Sequence, residues 1–198
     1  MSELESAPLT GNNPRELMTT PAGQVSDANP PPVSLRQEQS GDDGFLFDVY
    51  ASTRAEELAL TNWSASMRRN FLAQQFTAMC QGYRSMFPTG EFSIIEFESK
   101  PVGRIVINRS QTEIRVVDFA LLPEHQNRGI GTFLMQQICA EAVKTGQPTR
   151  LCVLKGNRAR RWYERLGFKK IGEQGFYDEL EWRPEISGDL ASLASPTG

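Results

Sequence analysis

The segment from residue 113 to residue 144 constrains the fold more than any other part of the chain. An apolar strand pattern ends at Leu121, Pro123 closes it because proline cannot donate to a central ladder, and a helical pattern begins at Gly129. The first N–H groups of a helix have no intrahelical partners, and the helix dipole adds positive potential there. Glycines let a bulky anion approach the backbone. This strand–loop–helix junction therefore predicts a diphosphate-binding loop.

The glycine pattern of this loop differs from two common phosphate-binding motifs. No Gly-Lys-Ser/Thr follows Gly129-x-Gly131, so the loop is not a Walker A motif. The dinucleotide fingerprint needs three glycines after the first strand of a βαβ unit, whereas this loop follows three strand patterns. A Gly-x-Gly alone is weak evidence, because a tight turn with glycines for packing explains it equally well.

Periodicity elsewhere predicts an α/β (α+β) fold, in which a mixed sheet carries helices on both faces. Alternating apolar residues indicate strands, and apolar residues at helical spacing indicate helices. Ser52 or Thr53 is expected to cap a short helix near Arg54. The predicted strands are 45–50, 91–99, 102–109, 113–121, 150–153, 169–174 and 176–181, and the longer helices are 64–84, 129–144 and 158–166.

The two ends of the chain lack both periods. Residues 1–43 are rich in Pro, Ser, Asn, Gln and Gly, so we expect a disordered tail followed by one domain at residues 44–183. Residues 184–198 are expected to form a short flexible tail. The triplet Pro30 to Pro32 is compatible with a plain linker or with a polyproline segment that docks on a partner.

Composition argues against several classes of function. A net charge of -3 disfavours a general nucleic-acid or membrane-surface binder. The chain shows no apolar signal core and no apolar run long enough to span a membrane, so a cytoplasmic protein is the default expectation. Three cysteines without metal-knuckle spacing and a single histidine predict buried, reduced thiols and no metal site.

Two motifs together resemble those of one superfamily. Gln126-x-x-Gly129-x-Gly131, after a strand that ends in Leu-Pro-Glu, resembles motif A of the GNAT (Gcn5-related N-acetyltransferase) proteins. The segment from Ala159 to Phe168, with Tyr163 before a Leu-Gly-Phe turn, resembles their motif B. The resemblance covers residues 45–182 and implies a mostly antiparallel GNAT sheet. It also implies transfer of an acetyl group from acetyl-CoA to a primary amine of a small molecule or peptide, and makes a homodimer a candidate assembly.

The resemblance also assigns roles to residues. Tyr163 is expected to protonate the departing CoA thiolate, which leaves Cys152 unneeded as a nucleophile. The main chain of the strand end is expected to pair with the pantetheine arm, and the loop amides to hold the pyrophosphate. The expected cofactor-binding residues are Phe119, Ala120, Leu121, Gln126, Asn127, Arg128, Gly129, Ile130, Gly131, Thr132 and Asn157. Asn157 lies six residues before Tyr163, where the family commonly has an asparagine seven before its tyrosine.

The general base and the acceptor pocket are less constrained by the sequence. Asp118 is a candidate for relaying the amine proton through water, but strand alternation groups it with Ile114, Val116 and Ala120, so a buried acid bonded to backbone is an equal alternative. The histone-type glutamate position holds Arg115. The candidate acceptor-lining residues are Trp63, Arg68, Gln74, Gln75, Tyr83, Arg84 and Tyr177.

A second function of a different class remains open from the sequence. The domain would then bind an acyl-CoA as a sensor or adaptor with weak catalysis, and the proline-rich tail would recruit a partner.

Overall fold

The structure is a computed structural model that describes residues 32–185. This part of the chain forms seven strands and four α-helices. None of its helices is apolar enough over a sufficient length to cross a membrane. The elements are β1 (Val33–Gln37), α1 (Asp43–Ala59), α2 (Ala65–Met86), β2 (Glu91–Phe97), β3 (Lys100–Arg109), β4 (Ile114–Leu121), α3 (Ile130–Thr145), β5 (Thr149–Leu154), α4 (Ala159–Arg165), β6 (Lys169–Gln174) and β7 (Tyr177–Trp182).

The strands form one sheet in the order β1-β2-β3-β4-β5-β7-β6. Every neighbouring pair is antiparallel except β4 and β5, which are parallel and connected through α3. A parallel pair requires a crossover, and a helix of 16 residues provides it. The predicted mixed, mostly antiparallel α/β sheet is therefore confirmed.

The N-terminal part of the domain differs from the prediction. Residues 45–50, expected as a strand, lie in α1, where Leu46 and Val49 are both 1% exposed and share one helical face. A short apolar run is compatible with the period of a strand or of a helix. Here the buried residues are three positions apart, which is the spacing of a helix. The first strand is instead β1, inside the segment 1–43 expected to be a tail, so this boundary is corrected for residues 33–43. Residues 1–31 and 186–198, including most of both expected tails, lie outside the described residues.

An ion-pair network holds β1 at the edge of the sheet. Arg36 donates to both carboxylate oxygens of Asp42 at 2.7 Å and to Glu96 of β2 at 2.9 Å. Gln39 N–H also donates to Asp42 at 2.8 Å, and these bonds hold the pKa of that carboxyl at about 2. Strand β1 pairs with the sheet through residues about sixty positions further along the chain, such as Glu96, and the sequence of β1 alone does not indicate this pairing.

The short helix expected near Arg54 does not begin there: Ser52 and Thr53 lie inside α1 and donate to the Val49 and Tyr50 carbonyls instead of capping a helix. The other elements agree with the prediction to within a few residues. Ser64 caps α2, because its hydroxyl accepts from Met67 N–H at 3.2 Å. The turn expected at Lys100-Pro101 lies two residues earlier, at Glu98 and Ser99, which both have positive φ angles. Two consecutive residues of this conformation fit a tight hairpin turn.

The sheet separates two packed layers. On one face α3 and α4 cover Ile105, Ile107 and Val116. On the other face α1 and α2 cover the alternate residues of β2 and β3, among them Ile94 and Val106.

A β-bulge in β4 changes which face its residues occupy. Val106 pairs with Asp118 and Ile107 with Val116, so Val117 has no partner on β3. Past the bulge, Asp118 faces the α1–α2 layer, whereas Ile114 and Val116 remain in the α3 layer. The predicted grouping of Asp118 with Ile114 and Val116 is therefore wrong, because an extra residue shifts the alternation by one.

Candidate functional site

Strands β4 and β5 part at the centre of the sheet. Their pairing runs from Ile114 opposite Thr149 to Val116 opposite Leu151 and then stops. Beyond it, residues 117–121 of β4 have no ladder partner on the β5 side. This leaves a crevice with unpaired backbone groups on one wall, which an extended ligand can pair with in the manner of an added strand.

Two contacts fix the end of β4 beside the crevice. A Cβ placed on Gly103 of β3 would lie 2.3 Å from the carbonyl oxygen of Ala120 and 2.7 Å from the side chain of Leu121, so only glycine fits there. The Gln126 side chain donates to the Leu121 carbonyl at 2.9 Å. Gln126, predicted as a cofactor-binding residue, thus ties the loop to the strand end.

The N-terminus of α3 opens at the same end of the crevice. Gly129 precedes the helix with a φ of 81°, and no atom lies within 4 Å of where its Cβ would stand. Asn127 has a φ of 59°, and Arg128 is exposed beside it. Within the described chain, the N–H groups of residues 127–132 make no hydrogen bond outside the helix. Free amides, a helix dipole and an open approach suit the pyrophosphate of a CoA-type ligand.

Gly131 has a packing role as well. Its Cβ would lie 3.2 Å from the Trp162 ring and 3.3 Å from the Phe119 ring. The two rings stack with centroids 5.8 Å apart, and Trp162 Nε1 donates to the Thr132 hydroxyl at 3.2 Å. This aromatic layer joins α4 to the first turn of α3, so the predicted residues Phe119, Gly131 and Thr132 are brought together with α4.

Tyr163 lies under the crevice with its ring buried and 7% of the residue exposed. The ring packs on Trp162 at 4.6 Å and on Phe168 at 5.7 Å. Its hydroxyl forms no hydrogen bond to the described residues, yet it is not sealed from solvent. Burial, followed by the negative charge of Asp118, raises the pKa of Tyr163 above its ordinary value. The hydroxyl therefore stays protonated and is available to a ligand.

Asp118 forms an ion pair with a buried arginine. Arg104 Nε donates to Asp118 Oδ2 at 2.8 Å, and Arg104 Nη2 bonds to the same oxygen. Arg104 is 4% exposed. The alternative of a buried acid bonded to backbone is not what the structure has: the partner is a side chain, and the Asp118 carboxylate is 23% exposed.

The predicted acceptor residues do not all converge. Tyr83 lies beside Arg104, with the guanidinium carbon 5.8 Å from its ring centroid. Burial raises the pKa of Tyr83, and the charges of Asp118 and then Tyr177 act in the same direction, so these groups share one region. Arg84 instead pairs with Glu38 at 2.7 Å, away from this region.

The other candidates of that set have local roles. Arg68 donates to the Thr61 carbonyl at 3.1 Å. Trp63 packs edge-on against Phe71 at 5.2 Å on the surface. Gln74 and Gln75 are exposed on α2.

Asn157 forms a turn just before α4, whose N-cap residue is Arg158. The Asn157 side-chain oxygen accepts from Ala159 N–H at 2.8 Å, at the first turn of α4. This hydrogen bond orients the helix that carries Tyr163, and the exposed residue retains a free amide group.

Three residues of the site were not among the site residues predicted from the sequence. Gly103 interrupts an apolar strand, a signal that a backbone passes closely there. Arg104 places a charge inside the same apolar run, which signals a buried ion partner but not its identity. Trp162 sits in motif B, yet nothing in the sequence indicates its contacts with Phe119 and Thr132.

Comparison with known proteins finds a family match over part of the chain. A family model described as Acetyltransferase (GNAT) domain matches residues 88–170. No curated protein sequence matches the chain significantly.

Solved structures match the fold over most of the chain. PaiA N-acetyltransferase from Thermoplasma acidophilum, in complex with coenzyme A, is 19% identical, with 77% of this chain and 99% of that chain covered and a TM-score of 0.58. An acetyltransferase from Thermus thermophilus is 14% identical, with 77% and 97% covered and a TM-score of 0.57. A protein from Pyrococcus horikoshii is 20% identical, with 78% and 99% covered and a TM-score of 0.54. The domain match over residues 88–170 and the fold that the chain shares with these structures together support membership of the GNAT superfamily of acetyltransferases.

Proposed function

We propose that the protein is an acetyl-CoA-dependent N-acetyltransferase that acts on a primary amine of a small molecule or peptide. One observation carries this proposal: the crevice between β4 and β5 has the N-terminus of α3 at its mouth and Asp118 on its β4 wall, and Tyr163 packs on Trp162, which stacks on Phe119 of the same wall. An anion-binding end, an edge of free backbone and two proton-handling groups are what acyl transfer from CoA requires.

Binding is assigned to the backbone of the crevice. The amides of Asn127 to Thr132 would hold the pyrophosphate, with Arg128 adding an exposed positive charge. The main chain of Phe119 to Leu121 would pair with the pantetheine arm. Asn157, with its side-chain oxygen engaged by Ala159 N–H, would offer only its amide hydrogens to the cofactor.

The cosubstrate supplies an activated acetyl group as its thioester. The amine nitrogen attacks the carbonyl carbon, the carbon–sulfur bond breaks, and the sulfur leaves as a thiolate. Tyr163 donates its proton to that thiolate. The proton lost by the amine passes to water ordered by Asp118. No covalent bond to the protein forms, so a cysteine nucleophile is not needed.

The thiols are less buried than predicted, since Cys152 is exposed and Cys80 and Cys139 are half-buried, but the direction of their pKa shifts agrees with direct attack. Burial raises the pKa of Cys139 to about 11, and burial likewise raises the pKa values of Cys80 and Cys152. All three are therefore weak nucleophiles at neutral pH.

Thermal stabilisation by acetyl-CoA is the first test. A ligand at a hundred times its dissociation constant stabilises a fold by about 2.7 kcal/mol, which a melting curve resolves. We expect a shift with acetyl-CoA and with CoA, and none with ATP. No shift at millimolar acetyl-CoA would refute the proposed cofactor.

Turnover is the second test. Release of free CoA thiol is followed with a broad panel of primary amines, and Tyr163→Phe serves as the impaired variant. Tight CoA binding without acetyl transfer to any amine would favour the acyl-CoA sensor or adaptor instead.

A further inference from the structure

Burying the ion pair between Arg104 and Asp118 lowers the free energy of unfolding unless the charges are well paired and hydrogen-bonded. A charge buried in this way needs a partner and good hydrogen bonds to offset desolvation. Burial lowers the pKa of Arg104, but the charge of Asp118 and its hydrogen bonds outweigh this, and the pKa lies above its ordinary value. The third nitrogen, Nη1, contacts Cys80 Sγ, and Nη2 also contacts Met79 Sδ, each at 3.8 Å. Arg104 is therefore a fixed positive charge whose one anionic partner among the described residues is Asp118.

The pairing uses one carboxylate oxygen only. An arginine fork commonly engages both oxygens of a carboxylate, yet here both donors go to Oδ2. Within residues 32–185, Oδ1 accepts no hydrogen bond, and it is not among the buried polar atoms that lack a partner. With 23% of the side chain exposed, Oδ1 opens toward the solvent-filled side of the carboxylate. Arg104 thus orients the Asp118 carboxylate so that Oδ2 accepts both of its hydrogen bonds and Oδ1 remains available to another donor.

The surroundings of Oδ1 suit a cation. Asp118 lies on β4 beyond the point where its pairing with β5 stops, and its partner Arg104 lies over the Tyr83 ring of α2. Tyr83 brings an aromatic ring and Tyr163 a hydroxyl that remains protonated. An alkylamine with a pKa of about 10 arrives almost entirely as an ammonium ion at neutral pH. A carboxylate oxygen beside aromatic rings is a favourable site for such an ion.

Resting on the proposed function, we infer that Arg104 is a positioning residue that presents Asp118 Oδ1 as the binding site for the ammonium group of a cationic acceptor. The enzyme accordingly selects alkylamines over amines that are neutral at the same pH. Asp118 acts first as the anchor of the ammonium; a proton then passes from the ammonium to water, and the neutral amine nitrogen that results attacks the thioester carbonyl.

Paired acceptors test this inference. The best alkylamine of the panel is compared with an arylamine of similar size, which is neutral at about pH 7.5, and KM and kcat are measured for each at saturating acetyl-CoA. Asp118→Asn is the main variant. Its amide oxygen can take the Arg104 hydrogen bonds, and this turns the NH₂ group toward the acceptor. We expect KM for the alkylamine to rise at least tenfold and KM for the arylamine to change less than twofold.

Variants of Arg104 test the positioning role. Arg104→Gln should raise KM for the alkylamine about as much as Asp118→Asn, whereas Arg104→Lys, which retains a charge near Oδ2, should restore most of the selectivity. Arg109→Gln is the matched control, because Arg109 lies on the same strand and pairs with Glu141 and Glu91 at the surface. The stabilisation of each variant by acetyl-CoA shows whether it folds. If Arg104→Gln does not fold, Asp118→Asn still tests the ammonium site.

The outcomes separate the two proposals. Equal changes in KM for both acceptors, with wild-type turnover intact, would overturn the ammonium site and leave the acetyltransferase. Absence of turnover with every amine, despite stabilisation by acetyl-CoA, would overturn the proposed function and the ammonium site together.

Discussion

Replacing Tyr163 by phenylalanine removes one oxygen atom from the proposed reaction centre and little else. The ring contacts with Trp162 and Phe168 are carbon contacts that phenylalanine retains. The hydroxyl has no hydrogen bond to the described residues, so none is lost. We therefore expect the free energy of unfolding to change by less than about 0.5 kcal/mol. For a domain of this size the melting temperature should move by no more than about 2 °C.

The effect on turnover should be far larger than the effect on stability. A positioned general acid contributes roughly 10²- to 10⁴-fold to a rate, equivalent to about 2.7 to 5.5 kcal/mol of barrier. Burial and the charge of Asp118 raise the pKa of this hydroxyl, so wild-type kcat should not fall through loss of the Tyr163 proton at weakly alkaline pH. The assay is kcat at saturating acetyl-CoA, read as CoA thiol released, beside the acetyl-CoA-induced shift in melting temperature.

Tyr50→Phe is the matched control, because Tyr50 packs on Phe76 at 5.7 Å within the helical layer. It should alter neither kcat nor the acetyl-CoA shift. A Tyr163→Phe variant with unchanged kcat would refute the assignment of the general acid. A variant with reduced kcat and an equally reduced melting temperature would attribute the loss to packing instead.

Three further predictions concern the scaffold. Gly103→Ala places a Cβ 2.3 Å from the Ala120 carbonyl oxygen, so we expect a loss of about 1–3 kcal/mol in urea unfolding together with a weaker acetyl-CoA shift; normal binding would show that the strand end does not shape the cofactor site. Gly82→Ala, near the C-terminal end of α2, meets only a methyl carbon at 4.0 Å and should stabilise by about 0.5–1 kcal/mol; a destabilised variant would contradict the open space there. Hydrogen bonds from Arg36 and Gln39 lower the pKa of Asp42 from 3.8 to about 2, so its contribution is complete above about pH 4 and is lost as pH falls toward 2. Urea midpoints of wild type and Asp42→Asn should therefore converge across that window, and a constant difference would disprove the linkage.

The local parts of the site were predictable. Gly129 and Gly131 identify the start of a helix and Pro123 the end of a strand, because each acts through its own backbone and that of its immediate neighbours. The role of Gln126 was less accessible. Its pattern places it in the loop, but its hydrogen bond to the Leu121 carbonyl depends on how the loop folds back on the strand.

The partners of Asp118 were not predictable. The bulge at Val117 moves Asp118 to the other face of the sheet, and a one-residue shift of this kind leaves no mark on the alternation of side chains. Arg104 carries the same apolar neighbours in sequence whether or not a carboxylate faces it across the sheet.

The sequence alone determined the order of most elements, the phosphate-type loop and the superfamily to which both motifs point. Those properties depend on side-chain periods and on turn residues that act over a few positions. The tertiary structure decided the edge position of β1, the close passage of Gly103 under Ala120 and the Arg104–Asp118 pair. The hydrogen bonds and close contacts in these features join residues 14 to 62 positions apart, so they form only when the strands of the sheet pair. The local sequence is equally compatible with other contacts, and tertiary packing determines which of them form.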